Sequence, residues 1–218
     1  NGLRTFSLAL DWFPTTGEFG KFNAYGDFED HKKAATLLEG HFTYSQENKE
    51  SQPNNDQFEN VQLRLSDGSI IFTPDLFASG ITINDAVYKM TSTAIGVKYR
   101  GFALEGEYYW RWLSNFTGNG TDSLGFNLLT GNGFQLMASY MIVQQKLQAY
   151  ATLSQVFGDY GNPWDARIGF NFFPWKTQAF RWNAEYIQIY RSPVGALSLP
   201  YPVGGTGGIF NMDFMINF

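Results

Sequence analysis

The sequence has no cysteine, only two histidines and a small share of charged residues. The lack of cysteine excludes a disulfide framework, a thiolate metal site and a cysteine nucleophile. Charged residues make up 16% of the chain, whereas soluble domains usually carry about 25%. The formal net charge is −5, and because no basic stripe appears along the sequence, we expect no nucleic-acid partner.

Long apolar runs and enzyme signatures are missing as well. No segment approaches the roughly 18 consecutive apolar residues of a transmembrane helix, and no signal peptide is recognisable, which indicates a chain that is mature, trimmed or incomplete. The sequence has no Gly-x-Ser-x-Gly elbow for a serine nucleophile. His31 lies in a charged run typical of a solvated turn, and His41 shares the polar side of a predicted strand with Glu39. We therefore expect no enzymatic activity, no cofactor and no metal.

Aromatic residues and a period of two are prominent instead. Phe, Tyr and Trp together supply 18% of the residues. From Ile209 to Phe218 every even position is apolar, while Asn211 and Asp213 lie between them. This alternation spans about ten residues, which is the length of a tilted membrane strand, whereas strands of globular proteins average about 5–6 residues.

The same alternation recurs along the chain and predicts nine strands. We predict an all-β fold in which residues 1–218 form one antiparallel transmembrane β-barrel segment, because only helices and closed barrels satisfy their backbone groups in lipid. A secreted β-sandwich has a similar composition, but its aromatic rings would cluster in the middle of the strands. The predicted strands are Leu3–Trp12, Ala35–Ser45, Val87–Tyr99, Phe102–Leu113, Phe134–Val143, Lys146–Phe157, Arg167–Phe173, Phe180–Arg191 and Ile209–Phe218.

The connections between these strands alternate between short and long. In bacterial barrels the tight turns face the periplasm and the longer loops face outward. The longest connection, 46–84, is predicted to be an extracellular loop with a short hairpin through Leu65–Ser69. Segments 115–132 and 192–208 are predicted to be further outer loops, whereas the connection after Trp12 is longer than the periplasmic side requires.

Many aromatic residues fall near the ends of the predicted strands. Amphipathic rings prefer the headgroup level of a membrane, so two aromatic girdles are expected on a barrel. The predicted girdle residues are Trp12, Tyr99, Phe102, Phe173, Trp175, Phe180 and Phe218 at the periplasmic end, and Trp110 and Trp112 toward the outer end.

The predicted number of strands is odd. Bacterial single-chain barrels have an even number of strands, and an open sheet would leave unpaired edges in lipid. Either one strand is miscounted or further strands precede Asn1, and we favour the second interpretation.

Four stretches stand out beyond the alternation, and together they resemble one protein family. They are Leu63–Gly68, Val97–Tyr109, Val156–Gly158 with Asn162–Asp165, and Tyr190–Ala196. These stretches resemble the phosphate-selective porin O and P family, over most of the chain after Gly26. Ala196 replaces a glycine of the family pattern, and the lysine cluster of its phosphate channels has no counterpart here. The resemblance implies a barrel of about 16 strands, usually trimeric, of which this chain is the C-terminal part.

A channel needs a polar lumen whose charges filter solutes. Guanidinium groups suit phosphate through bidentate hydrogen bonds, and we single out Arg111, Arg181 and Arg191 as candidates for anion selection. Alternatively, the charges pair across strands and stiffen the wall, which the similar numbers of both signs favour. The predicted lumen-facing cations are Arg111, Arg167, Arg181, Arg191 and Lys146, the predicted acids are Glu39, Glu105, Glu107, Glu185 and Asp213, and the register adds Lys98 and Asp11.

The sequence therefore predicts an outer-membrane porin, a passive diffusion channel for small solutes that include phosphate-like anions. Its expected partners are outer-membrane lipids, the solutes themselves, and a barrel-insertion machinery that reads a C-terminal signal such as the one ending at Phe218. The resemblance adds a homotrimer. The alternative is a barrel that scaffolds an outer-membrane assembly through loop 46–84 and has no transport role of its own.

Overall fold

The computed structural model describes residues 4–20, 26–49, 63–194 and 202–216. These residues fold into one antiparallel sheet of nine strands, arranged in chain order from β1 to β9, so the predicted all-β fold and strand number are confirmed. The described residues contain no α-helix but one 3₁₀ turn at Thr121–Ser123. The strands are β1 Arg4–Trp12, β2 Ala35–Asn48, β3 Thr82–Tyr99, β4 Phe102–Asn119, β5 Leu128–Val143, β6 Leu147–Gly158, β7 Trp164–Phe172, β8 Phe180–Tyr190 and β9 Gly207–Ile216.

Among the residues that the structure describes, no helix is long and apolar enough to cross a membrane.

Each strand pairs with its neighbours in the sequence, and β1 and β9 form the two edges of the sheet. Within the described ranges these two strands do not pair with each other, so the sheet is open. Because every pairing is antiparallel and the number of strands is odd, β1 and β9 run in the same direction.

Across the middle of the sheet, the register places most apolar and most polar side chains on opposite faces. One row of cross-strand partners is mostly apolar and runs Trp12, Leu38, Ile95, Gly106, Leu136, Leu153, Ala166. The adjacent row is mostly polar and runs Asp11, Glu39, Ala94, Glu107, Gln135, Ser154, Asp165. We call these two surfaces the apolar face and the polar face, and successive residues of a strand alternate between them.

Several strands extend further than predicted at the end of the sheet that carries the long loops, here the long-loop end. The predicted loops 46–84, 115–132 and 192–208 become connections 49–81, 120–127 and 191–206. The predicted β3 began at Val87, five residues later than the observed strand. Register shifts on either side of Asp85 explain the difference, because the extra residue of a β-bulge interrupts the alternation on which the prediction rests. At the opposite, short-turn end the connections are 13–34, 100–101, 144–146 and 173–179.

The largest apolar core lies on the polar face at the long-loop end. The predicted hairpin is confirmed by a bridge between Arg64 and Ile70 and by the amide of Gly68, which donates to the carbonyl oxygen of Leu65 at 3.0 Å. This hairpin and the residues after it fold onto the sheet instead of extending away from it. The buried side chains of this core are Leu65, Ile71, Phe72, Ile83, Ala86, Leu113 and Leu129.

Candidate functional site

Most of the charged residues that the sequence predicted to face the lumen lie on the polar face. Lys146 and Arg191 differ, since both are exposed and lie just outside the strands, in the β5–β6 turn and immediately after β8. The guanidinium of Arg191 lies over the ring of Tyr190, 5.3 Å from its centroid. The predicted residues that lie on the polar face within strands are Asp11, Glu39, Lys98, Glu105, Glu107, Arg111, Arg167, Arg181, Glu185 and Asp213.

Two of the predicted arginines are paired with carboxylates. Arg167 Nε lies 2.9 Å from Asp165 Oδ1, and Arg181 lies 3.9 Å from Asp213. Asp165 also accepts a hydrogen bond from the hydroxyl of Ser154 at 2.6 Å. These two arginines on the β6–β9 side of the polar face therefore fit the interpretation in which charges pair across or along strands and stiffen the wall.

The opposite side of the polar face is acidic. Asp11 and Glu39 are cross-strand partners, and Glu107 lies in the same row beyond Ala94. In the described part of the chain these three carboxylates form no ion pair. Arg111 likewise has no ion pair there; its guanidinium lies close to Gly131, where an added Cβ would be 2.9 Å from Arg111 Nε.

A row of buried amides crosses β6, β7 and β8 near the short-turn end, and sequence reasoning missed it. Asn183 Nδ2 donates to Asn171 Oδ1 at 2.9 Å, and Asn171 Nδ2 donates to Gln148 Oε1 at 2.9 Å. Asn183 Nδ2 also donates to the hydroxyl of Tyr150 at 2.7 Å, and that hydroxyl donates to Glu185 at 2.9 Å. These side chains border a cavity of about 540 Å³ on the polar face. The signal available in the sequence was that each amide occupies a polar-side position close to a short turn.

The described residues of the β1–β2 connection, 13–20 and 26–34, also lie on the polar face at the short-turn end. We call these residues the strap. Phe19 is buried over Gly96 of β3, where an added Cβ would lie 2.6 Å from its ring. Lys98 Nζ donates to the carbonyl oxygen of Phe19 at 2.8 Å and lies 4.3 Å from the centroid of its ring. At its other end the strap reaches β5 and β6, since an added Cβ at Gly26 would clash with Gln148.

Asp27 joins the strap to the short turns. Its side chain is fully buried, and its carboxylate accepts hydrogen bonds from the backbone amide and Nδ1 of His31 and, at 2.7 Å, from the amide of Gly101 in the β3–β4 turn. Gln144 of the β5–β6 turn donates to the carbonyl oxygens of Asp27 and Phe28 at 3.2 and 2.8 Å. The strap is therefore hydrogen-bonded to the β3–β4 turn and to the β5–β6 turn.

His31 is not the solvated turn residue that its charged neighbours in the sequence suggested. Its side chain is 7% exposed, and its two ring nitrogens contact Asp27 and Glu18. Burial lowers the pKa of His31, but the hydrogen bonds and charges of Asp27 and Glu18 outweigh it and raise that pKa above its usual 6.5. A hydrogen bond from the amide of Gly20, opposed by partial burial and aided by His31, lowers the pKa of the Glu18 carboxyl.

The same region contains three groups of metal-ligand type. Ligand-type atoms of Asp27, Glu29 and His31 lie within 4.8 Å of one another. Both oxygens of Asp27 and both ring nitrogens of His31 are already engaged in hydrogen bonds. We therefore assign these residues to strap attachment and assign them no metal.

Most of the predicted girdle residues lie on the apolar face or in a short turn. Trp12, Trp175 and Trp110 are exposed, as are Tyr99 and Phe102 on either side of the β3–β4 turn. Phe180 lies against Trp175 with ring centroids 4.5 Å apart. Trp112 is half-buried in the second half of β4.

Phe173 differs from the other predicted girdle residues. It is buried and meets Phe28 of the strap edge to face, with ring centroids 5.1 Å apart. Phe218 lies outside the described residues.

No protein-family model, curated protein or solved structure matches this chain. Its function has to be inferred from the geometry of the two faces.

Proposed function

We propose that this chain is part of an outer-membrane porin, in which the polar face lines a passive diffusion channel for small hydrophilic solutes. The observation that carries the proposal is the exposed apolar face, which continues across all nine strands. Leu10 is 70% exposed on β1, Ile168 60% on β7 and Phe214 69% on β9. Soluble monomers rarely expose apolar patches larger than a few hundred Å², so a surface of this extent favours contact with lipid.

The lengths of the strands agree with a membrane location. A tilted β-strand crosses a bilayer in about 9–11 residues, and the nine strands contain between 9 and 18 residues. Strands of this length with one apolar and one polar side are typical of transmembrane barrels. In a β-sandwich the apolar face would instead be covered by a second sheet, and the described residues contain only one sheet.

Lipid contact requires the sheet to be closed, since unpaired backbone groups are costly in hydrocarbon. Because β1 and β9 run in the same direction, antiparallel closure needs an odd number of further strands between them. The barrel of about 16 strands implied by the family resemblance satisfies this condition. Outer-membrane location, trimer formation and recognition by the barrel-insertion machinery belong to the same proposal.

In a closed barrel the polar face would enclose the channel. The apolar core around Phe72 would narrow it at the long-loop end, and the strap would narrow it at the short-turn end. Hydrophilic solutes would then pass a wall lined by amides and by charged side chains of both signs. The balance of these charges would decide whether the channel prefers anions or cations. Passage of phosphate-like anions would depend chiefly on Arg111, because Arg167 and Arg181 are paired with carboxylates.

The scaffold alternative receives less support. It requires loop 46–84 to reach outward to a partner, whereas its described portion 63–81 buries Leu65, Ile71 and Phe72 against the polar face. Residues 50–62 lie outside the described ranges.

Single-channel recording on the full-length folded protein in planar bilayers tests the proposal. We expect discrete conductance steps that grow with salt concentration, since small ions would fill the channel. Stable insertion of folded protein without any conductance would contradict the channel and favour the scaffold.

A further inference from the structure

The strap is attached to the polar face through a cluster in which one histidine lies between two carboxylates. His31 Nδ1 contacts Asp27 Oδ1, and His31 Nε2 lies 2.9 Å from Glu18 Oε1. Asp27 is fully buried, whereas the Glu18 side chain is 53% exposed. Asp27 is the stronger partner, because a charge-assisted hydrogen bond away from water is screened less than an exposed one.

The number of protons on His31 decides whether both contacts are favourable. A charged imidazolium donates from both nitrogens, whereas a neutral imidazole has one N–H and one lone pair. With His31 neutral, the lone pair would therefore point at one of the two carboxylates. The full set of contacts exists only in the charged form.

Further charged groups surround the cluster, and Lys98 of β3 acts on the same two carboxylates: it lies near Asp27, Glu18 and Glu29 of the strap and Glu105 of β4, and it donates to the carbonyl oxygen of Phe19. Lys98 offsets part of this negative charge whether His31 is charged or neutral, so it does not supply the second N–H that a neutral imidazole lacks. Arg100 of the β3–β4 turn donates its backbone amide to the carbonyl oxygen of His31 at 2.9 Å, while its guanidinium lies over the ring of Tyr99. The remaining charges close by, Asp30 and Lys32, pair with each other.

We propose that the strap is a pH-responsive latch over the short-turn end of the channel, attached when His31 is charged and released when His31 loses its proton. A pKa that is raised in the attached state stabilises attachment below the ordinary pKa of histidine, and this stabilisation is lost as the pH rises through the raised value. The short-turn mouth should therefore be narrower in mildly acidic solution and wider in alkaline solution. The effect on conductance rests on the proposed channel function, whereas release of the strap can be measured without it.

Ser139 provides a position that reports release directly. It is 5% exposed on the polar face of β5, and an added Cβ at Gly26 of the strap would lie 3.1 Å from its hydroxyl. This sequence has no cysteine, so Ser139→Cys adds one thiol to this part of the protein, beneath the strap, and any cysteine outside this sequence is replaced by serine in every variant. Its rate of reaction with a polar maleimide measures how often the strap lifts. Ser123→Cys lies at an exposed position in the loop between β4 and β5. Its labelling rate corrects for the general rise of thiol reactivity with pH, since the thiolate is the reacting form.

The two histidines of the chain supply a matched pair of variants. At about pH 6, adding His31→Gln to the Ser139→Cys protein should increase the labelling rate about tenfold, the loss expected for one hydrogen bond between charged groups. His41→Gln should leave the rate unchanged, since His41 lies in β2 and its ring contacts Thr43 rather than a carboxylate. Equal labelling rates with and without His31→Gln would overturn the latch.

A milder variant covers the case in which His31→Gln does not fold. Glu18→Gln removes one of the two carboxylates at a half-exposed position, so the pH at which labelling accelerates should fall. A corrected labelling rate that does not rise with pH, or a midpoint unmoved by Glu18→Gln, would refute the latch even if the protein conducts. Conversely, strap release without any conductance would refute the channel and leave the latch intact.

Discussion

At the scale of single residues, Gly96 of β3 lacks a side chain because the ring of Phe19 occupies the space above it. A Cβ at this position would lie 2.6 Å from the ring. We predict that Gly96→Ala displaces Phe19 and costs about 1–3 kcal/mol, as overpacked positions usually do. Gly40→Ala is the control, because no atom lies within 4 Å of its added Cβ. Urea unfolding monitored by tryptophan fluorescence measures both, and similar losses in the two variants would contradict this account of Phe19.

Asn183 is the residue on which the buried amide row depends. Its Nδ2 donates to the side chains of buried Asn171 and half-buried Tyr150, so removing it leaves both acceptors with one partner fewer. We predict that Asn183→Ala lowers the free energy of unfolding by about 1–3 kcal/mol. Asn127→Ala, at an exposed position in the β4–β5 connection, should have almost no effect in the same unfolding experiment. A loss for Asn183→Ala no larger than for Asn127→Ala would mean that the amide row contributes little.

At the scale of elements, each strand has one side suited to lipid and one suited to water. Ile168 lies at the middle of β7 on the apolar face and is 60% exposed. If this face contacts hydrocarbon, Ile168→Lys should destabilise the protein in bilayers by about 2–4 kcal/mol. The control is Gln135→Lys on the polar face, beside its cross-strand partner Glu107. Guanidinium unfolding in lipid vesicles measures both variants, and a tolerated lysine at position 168 would argue against lipid contact.

At the scale of the whole molecule, the charges on the polar face should set the ion preference of the channel. Arg111 and Arg181 lie on this face, and Arg191 follows β8 at its long-loop end. We predict that neutralising all three together shifts the reversal potential in a salt gradient toward cations. The shift should be largest at low salt, since the Debye length is about 30 Å at about 10 mM salt and the charges are then screened least.

The matched control for this experiment neutralises carboxylates instead. Glu39→Gln with Glu107→Gln should shift the reversal potential toward anions, because these acids lie in one row of the polar face and have no ion pair among the described residues. An unchanged reversal potential in the arginine variant would show that Arg111, Arg181 and Arg191 do not determine the ion preference. The carboxylates would then be the charges that determine it.

The sequence by itself determined the number of strands and the face that each strand residue occupies. Both follow from a period of two, which is a local property that neighbouring residues encode together. The prediction was incomplete at the long-loop end, where β2, β4 and β5 extend further than predicted and a bulge around Asp85 interrupts the alternation in β3. It also assigned Lys146 to a strand, although the β5–β6 turn takes this residue.

The tertiary structure alone decided what covers the polar face. The strap depends on contacts between residues far apart in the sequence, such as the hydrogen bond from Gly101 to Asp27, separated by 74 positions. No local pattern distinguishes a buried Asp27 or His31 from the solvated turn that their polar neighbours suggest. Phe173 likewise has the sequence position of a girdle residue, but the strap supplies a ring that buries it. Burial of this kind is set by which distant segments meet, so it became visible only once the sheet and its connections were in place.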